Sequence, residues 1–237
     1  MPTDCIDVIL NLSSNIFYVV DSQRILADSI HINGLRSKHS YIQQAGNICT
    51  FGISFFSFGL YPFVNVSLAN TRDEIVGLRE FSTTLAQKLE LATLQRTKNT
   101  SVESIIANIE DTLCFELKVT KDYIRKSNLI NNYLESENKT IQSFCAKHGV
   151  HMKTFERNVL HYTGYTPKIL HSIRRFQKVG NQLVYDKQEQ LSDIAYYNGF
   201  ADQAHFIREF RKFSGVAPRT FQHEKLTVKE NVEYTYR

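Results

Sequence analysis

Two stretches, IQSFCAKHGVHMKTFERNVLHYTGYTP (Ile141–Pro167) and LSDIAYYNGFADQAHFIREFRKFSGVAP (Leu191–Pro218), carry one pattern twice. At a shift of 51, Phe155 matches Phe206, Arg157 matches Arg208, Val159 matches Phe210, Tyr162 matches Phe213, Gly164 matches Gly215 and Pro167 matches Pro218. Upstream the shift is 50, pairing Ile141 with Leu191, Phe144 with Ile194 and Cys145 with Ala195. The second copy is therefore one residue longer in its turn, where an insertion disturbs no packed face.

Each copy reads as helix, turn, helix. Ile141, Phe144 and Cys145 follow i, i+3, i+4 spacing, as do Leu191, Ile194 and Ala195, so each opening helix buries one stripe. Gly149 and Gly199 stand where a helix commonly ends in a left-handed residue. The second helix is predicted over 152–162 in one copy and 202–213 in the other, with Phe155, Val159 and Tyr162, or Phe206, Phe210 and Phe213, on the inner face. The outer face then carries Lys153 and Arg157, with Thr154 and His161 at its edge, in the first copy. In the second it carries Ala204, Arg208 and Arg211, with His205 and Lys212 at its edge. An outward arginine over a buried aromatic face suits a recognition helix in a major groove, where arginine bonds the acceptor pair of guanine or a phosphate. The blander alternative is a helical repeat with solvated basic faces.

Between the copies, 168–185 offers a linker helix with Ile169, Ile173, Phe176 and Val179 as its stripe, and Gly180 weakens it by only about 1 kcal/mol. Side by side on one face of B-DNA, two such heads would be spaced by one helical turn, roughly 34 Å.

At these residues the chain resembles the AraC/XylS family of bacterial transcription regulators. GFADQAHFIREFRKFSGVAP is similar to that family's signature, and the resemblance covers about 121–222. It implies a seven-helix DNA-binding domain with two helix-turn-helix units reading successive major-groove segments. The family's contacting positions fall on Lys153, Glu156 and Arg157, then on Gln203, Ala204, His205 and Arg208. Three departures affect base preference rather than fold. His151 stands where the first recognition helix usually opens with serine, and histidine is the poorer cap by up to about 1 kcal/mol. Ala201 replaces a second capping serine, leaving Asp202 to favour the helix N-terminus. Ala204 offers only a methyl group, suited to thymine.

The charge divides the chain in the same place. Residues 1–118 hold 9 Lys and Arg against 12 Asp and Glu, whereas 119–237 hold 19 against 12. The basic half should attract phosphates and bind with strong salt dependence. Domains are accordingly expected at 1–118 (sensing or oligomerisation), 119–222 (DNA binding) and 223–237 (a tail). In that tail LTV and VEYTY alternate as a marginal hairpin or a frayed end.

The first 70 residues are rich in β-branched and aromatic side chains, in CIDVILNL, NIFYVV, RILADSIHI, CTFGISFFSF and PFVNVSL, parted by turns such as 12–15 and 43–47. They predict an antiparallel sheet or partial barrel. After Thr71 the pattern turns helical through Ile75, Leu78, Leu85 and Leu89, and again through Ile105, Ile106, Ile109 and Leu113, with a polar connector over 93–101. The fold class is thus α+β, a β-rich N-terminal part with helices followed by an all-α part with two helix-turn-helix units on a linker helix. More weakly, DCIDVILNLS and TFGISFFSFGLYPFV resemble the β-rich domain of one group of AraC-type regulators. Such domains usually have more chain ahead of this point, so Met1 is expected to mark a shortened domain or a late start, with an open sheet edge that invites aggregation unless covered. Phe51, Phe55, Phe58 and Tyr61, with Phe56 and Phe63, form an aromatic cluster that either lines an effector pocket or simply packs a core. The helix of Ile105, Ile109 and Leu113 either covers the sheet or meets a second subunit.

Four widely spaced cysteines, Cys5, Cys49, Cys114 and Cys145, form no CxxC pair, which disfavours a zinc site or a disulfide scaffold. Cys145, on a buried stripe, is expected to be a packed thiol. His148 and His151 flank a glycine turn and so lack an assured one-face metal geometry. No GxSxG, GxGxxG or GxxxxGK[ST] pattern occurs, and the chain is not expected to be an enzyme or to need a cofactor or metal. No apolar run reaches membrane-spanning length and Met1–Ser14 lacks a basic start, so a cytoplasmic protein is expected. Duplex DNA is the expected partner, RNA polymerase a further one, and activation the expected outcome. A small-molecule effector, a protein partner and a homodimer stay open. The rival from another class is a non-specific, architectural nucleic-acid binder.

Overall fold

Alternation decides the first elements. In Cys5–Asn11 (β1) every second side chain, Ile6, Val8 and Leu10, is buried, so one face of the strand meets a core. Ile16–Val20 (β2), Gln23–Leu26 (β3), Ile30–Asn33 (β4), Tyr41–Gln44 (β5), Thr50–Phe56 (β6) and Ile75–Gly77 (β7) complete the strands. The computed structural model describes residues 4–222 apart from 14, 21, 38–40, 45–48, 95–100, 137–139 and 186–189. The tail expected as a hairpin or frayed end lies outside these residues, as does most of the polar connector.

Two antiparallel sheets result, ordered β6-β1-β4-β7 and β3-β2-β5. The register puts Val8 opposite Ile53 and Ile32, and Leu10 opposite Phe51 and Ile30, so one apolar face runs across three strands. Tyr18 of β2 and His31 of β4 bridge the sheets. The Asp28 carbonyl can only accept, so His31 Nδ1 donates to it (2.8 Å) and Nε2 accepts from the Tyr18 hydroxyl (2.9 Å). Burial holds the His31 pKa below the ordinary histidine value, the Asp28 contacts pulling the other way. Among the described residues β6 and β7 are the edge strands of the four-stranded sheet.

Four local expectations need correction. RILADSIHI is two strands, β3 and β4, separated at Ala27–Ser29. Gln43 and Gln44, expected to open a turn, end the β5 strand. PFVNVSL is not a strand. Pro62 sits in the first turn of a short helix, Tyr61–Val64 (α1), Asn65 turns the chain at φ 52°, and Ser67 caps a 3-10 turn, Leu68–Thr71. Ile75, expected on a helix, lies in β7, and the helices begin only at Leu78–Phe81 (α2) and Thr83–Leu94 (α3).

Val102–Glu116 (α4) packs on α3. Ile105 and Ile109 are buried, Ile106 is exposed, and the buried Glu116 pairs with Lys88 of α3. Then follow Lys121–Glu135 (α5), Ile141–Lys147 (α6), Met152–Thr163 (α7), Pro167–Tyr185 (α8), Leu191–Tyr197 (α9), Gln203–Ser214 (α10) and a helical stretch over 218–222. The α+β order of the sequence reading is found.

The chain forms two compact units. One holds Asp4–Leu35 and continues to Leu170; the other holds His171 onward with a short stretch after Leu35. In the first, a single core joins Ile6, Val8 and Ile32 of the sheet to Ile130 of α5, Phe144 of α6 and Phe155 of α7. The change of charge near residue 118 is therefore not a break in packing.

Candidate nucleic-acid interface

In the first copy, Thr140 caps α6 by accepting from the Ser143 N–H (3.1 Å), and Phe144 and Cys145 face inward. The chain reverses at Gly149 (φ 64°), and Phe155, Val159 and Tyr162 of α7 are buried, with Tyr133 of α5 edge-on to Phe144 and Phe155 at 5.1 and 5.3 Å. That leaves Lys153, Thr154 and Arg157 exposed on the outer face, where Lys153 and Arg157 have no ion pair among the described residues. Glu156 is different. It is half-buried, and after burial it is the second cause raising the Cys145 thiol pKa, so it flanks the outer face rather than standing on it. Cys145 is the packed thiol expected. His151 precedes α7 without any side-chain cap; its carbonyl accepts from the Thr154 and Phe155 N–H groups (3.0 Å each), which leaves only the earlier N–H groups of the turn to water or an anion.

The other end of α7 is fastened. Tyr61 of α1 stacks on Tyr123 of α5 (5.9 Å, 9°), meets Tyr162 edge-on (4.4 Å) and shares a hydrogen bond with His161 (3.2 Å). Burial raises the Tyr123 pKa to about 12, so its hydroxyl stays protonated and donates to the Phe58 carbonyl (3.1 Å). Gly164 (φ 79°) lies against the 3-10 turn, where an added Cβ would fall 2.6 Å from the Leu68 carbonyl oxygen. Tyr61, read in the sequence as an effector-pocket residue, thus carries the recognition helix. Phe51 and Phe55 point from β6 to the sheet core, and Phe58 packs against the same core half-buried. Phe56, by contrast, is 76% exposed on the opposite face of β6.

In the second copy, Ile194 and Ala195 of α9 are buried, Gly199 (φ 71°) makes the turn, and Phe206, Phe210 and Phe213 of α10 pack inward, the last two against Phe176 of α8. The cap falls one residue later than the Ala201 position, on Asp202, which accepts from the His205 N–H at 2.6 Å. Gln203, Ala204, Arg208 and Arg211 are exposed, as the helical spacing requires. His205 is half-buried and its ring is engaged. Nδ1 accepts from the Ala201 N–H (3.3 Å), and Nε2 faces the Glu209 carboxylate (3.4 Å). Two residues the sequence reading passed over complete this site, Glu209 and Arg175. A single carboxylate within a basic recognition helix was the available signal.

Both recognition helices end alike. The Thr163 hydroxyl donates to the Val159 carbonyl and accepts from the Tyr165 N–H, and the Ser214 hydroxyl does the same with Phe210 and Val216.

Two helix-turn-helix units, each with a basic outward helix, define a DNA-binding class of fold. Residues 144–224 match the family model described as a helix-turn-helix domain. Over 103 residues the chain is 28% identical to the transcriptional activator RhaS of Pectobacterium carotovorum and 27% identical to that of Pectobacterium atrosepticum, in each case 43% of this chain and 36% of the relative. The chain thus spans about a third of the length of the curated relatives it matches. Among solved structures, it is similar to unsaturated-fatty-acid-bound ToxT from Vibrio cholerae (13% identity, 94% of this chain and 88% of that one, TM-score 0.47). It is also similar to the C-terminal domain of AraT from Geobacillus stearothermophilus (19%, 47% and 90%, TM-score 0.37). The second half is thus similar over 144–224 to that helix-turn-helix domain and over 103 residues to HTH-type transcriptional activators, and a β-rich part lies ahead of it.

Proposed function

We propose that this protein is a sequence-specific DNA-binding transcription regulator, an activator, whose two heads read successive major-groove segments. The observation that carries this is the matched pair Arg157 and Arg208, exposed at the same place of two helices that bury their aromatic faces. Lys153, Thr154, Arg157, Gln203, Ala204, Arg208 and Arg211 form the contacting surface, with Glu156 and His205 at its flanks. The activator assignment follows the RhaS relatives; contact with RNA polymerase is proposed as the means of activation, and action where DNA lies makes it cytoplasmic. No helix of the described residues is long and apolar enough to cross a membrane. No catalytic step is part of the proposal. The division at 118/119 is kept as one of function rather than of packing, with the sensing or oligomerising role, including a homodimer, assigned to 1–118. An effector beside Phe51, Phe55 and Phe58 would act on α7 through Tyr61, and a ligand there should shift DNA affinity in titration.

Selection from a random DNA pool, followed by binding with competitor DNA and a salt titration, tests the reading. A specific-to-nonspecific affinity ratio above about a thousand supports it; a ratio near one would favour the architectural binder that the net charge of the second half also fits.

A further inference from the structure

With α10 as a recognition helix, one partly buried charge cluster is left without a role. Arg175 projects from α8, with its side chain about one-fifth exposed, and Nη2 lies 2.6 and 2.8 Å from the two carboxylate oxygens of Glu209 on α10. From the same guanidinium, Nη1 donates to the Gly199 carbonyl in the turn (3.4 Å), and the plane covers the Phe200 ring at 4.3 Å. One side chain therefore touches all three parts that must keep register for a helix to be presented: support helix, turn and recognition helix. Glu209 passes the constraint outward, because its second oxygen faces His205 Nε2 while His205 Nδ1 holds the Ala201 N–H. Both ring nitrogens of His205 are thus occupied by protein groups, and the ring sits edge-on to Phe200 at 5.5 Å.

The first copy has no counterpart among the described residues. At the repeat shift of 50, Arg175 corresponds to Arg125, which is 78% exposed and pairs with Asp122 of its own helix. At the shift of 51, Glu209 corresponds to the neutral Asn158. A charge-assisted contact shielded from water is stronger than an exposed pair and directional, so it serves to fix geometry. Fixing a reading surface before binding removes an ordering cost that would otherwise be subtracted from affinity.

We infer that Arg175 and Glu209 are positioning residues that pre-set the second head for its half-site, and that His205 acts within this assembly rather than by bonding a base. This rests on the proposal that α10 reads DNA. The full chain is used throughout, with Arg175→Met as the main variant and Glu209→Gln as a milder one that keeps one acceptor. The first readout is amide hydrogen exchange of the free protein. Arg175→Met should speed exchange over 199–205 by about tenfold or more while leaving α7 unchanged. The second is binding to fragments selected by the wild type, with base changes placed in either half-site. The variants should lose most of the roughly tenfold penalty for a base change in the second half-site and keep the penalty in the first. The Arg175→Met/Glu209→Gln double variant should resemble Arg175→Met alone, since the two act as one unit.

Unchanged exchange over 199–205 would overturn the inference. So would faster exchange with full discrimination at the second half-site, which would leave the pair a purely stabilising contact. A wild-type chain that selects no sequence would overturn the DNA reading and this assignment with it. That failure is told apart from the others because it appears without any variant.

Discussion

In the first head the recognition helix starts uncapped at His151 and is held at its far end, where Tyr61 and the 3-10 turn grip Tyr162–Gly164. In the second, it starts at a capped Asp202 and is tied sideways to α8 through Arg175 and Glu209. The outward faces nevertheless match, arginine for arginine. The repeat therefore encodes what is presented, while the means of holding it belong to each copy's surroundings. The first head depends on aromatic burial that is continuous with the sheet core; the second depends on one shielded ion pair.

The largest expected effect probes the grip on the first head. Gly164→Ala combines left-handed strain with a Cβ driven toward the Leu68 carbonyl oxygen, a loss of at least about 3 kcal/mol in unfolding free energy. Gly199→Ala meets nothing within 4 Å, so only the strain remains, about 1–2 kcal/mol. Equal losses in denaturant melts would show that the 3-10 turn does not constrain α7. Next come Arg157→Ala and Arg208→Ala, each expected to weaken binding to a selected site by about 1–3 kcal/mol, with relaxed preference in one half-site if a base is read. A uniform loss with a shallower salt slope would move that arginine to a phosphate.

The capping difference can be exchanged between heads. Asp202→Ala should cost about 1 kcal/mol of stability, and His151→Asp should return about half of that or more to α7. No gain at residue 151 would mean that the His151 carbonyl, which already accepts from the Thr154 N–H at 3.0 Å, suffices for the first turn. The smallest effect concerns pH. Burial, followed by the charge of Lys126, holds the His161 pKa below its ordinary value. The unfolded chain then binds the proton first as pH falls. The associated stability is complete above about pH 6.5 and declines below it. His161→Phe should flatten that part of the stability profile, and the matching position in the second head is Lys212.

How far the sequence disclosed this follows from where each signal lies. Helical periodicity over Phe155, Val159 and Tyr162, and over Phe206, Phe210 and Phe213, located both recognition helices to within a residue or two, because burial at i, i+4 and i+7 is local. Strand alternation found β1 and β6 for the same reason. PFVNVSL misled because its apolar residues suit a strand while Pro62 and Asn65 set a helix and a left-handed turn. The partners of Tyr61 and Arg175 were out of reach. The first binds His161, 100 residues away, and the second Glu209, 34 away, contacts that no spacing rule announces.

The hydroxyls of Thr163 and Ser214 have a bearing on how a repeated unit drifts. The start of a recognition helix is exposed, so water can serve its N–H groups and the residue there is free to change, as His151 and Asp202 show. The stop is buried, with Thr163 at 0% exposure and Ser214 at 9%, where no solvent substitutes for a lost oxygen. Each hydroxyl both gives and receives a bond there, a task only serine or threonine performs at that size. The copies differ where the helix begins and share a hydroxyl where it ends, so the unit is marked most plainly where it closes.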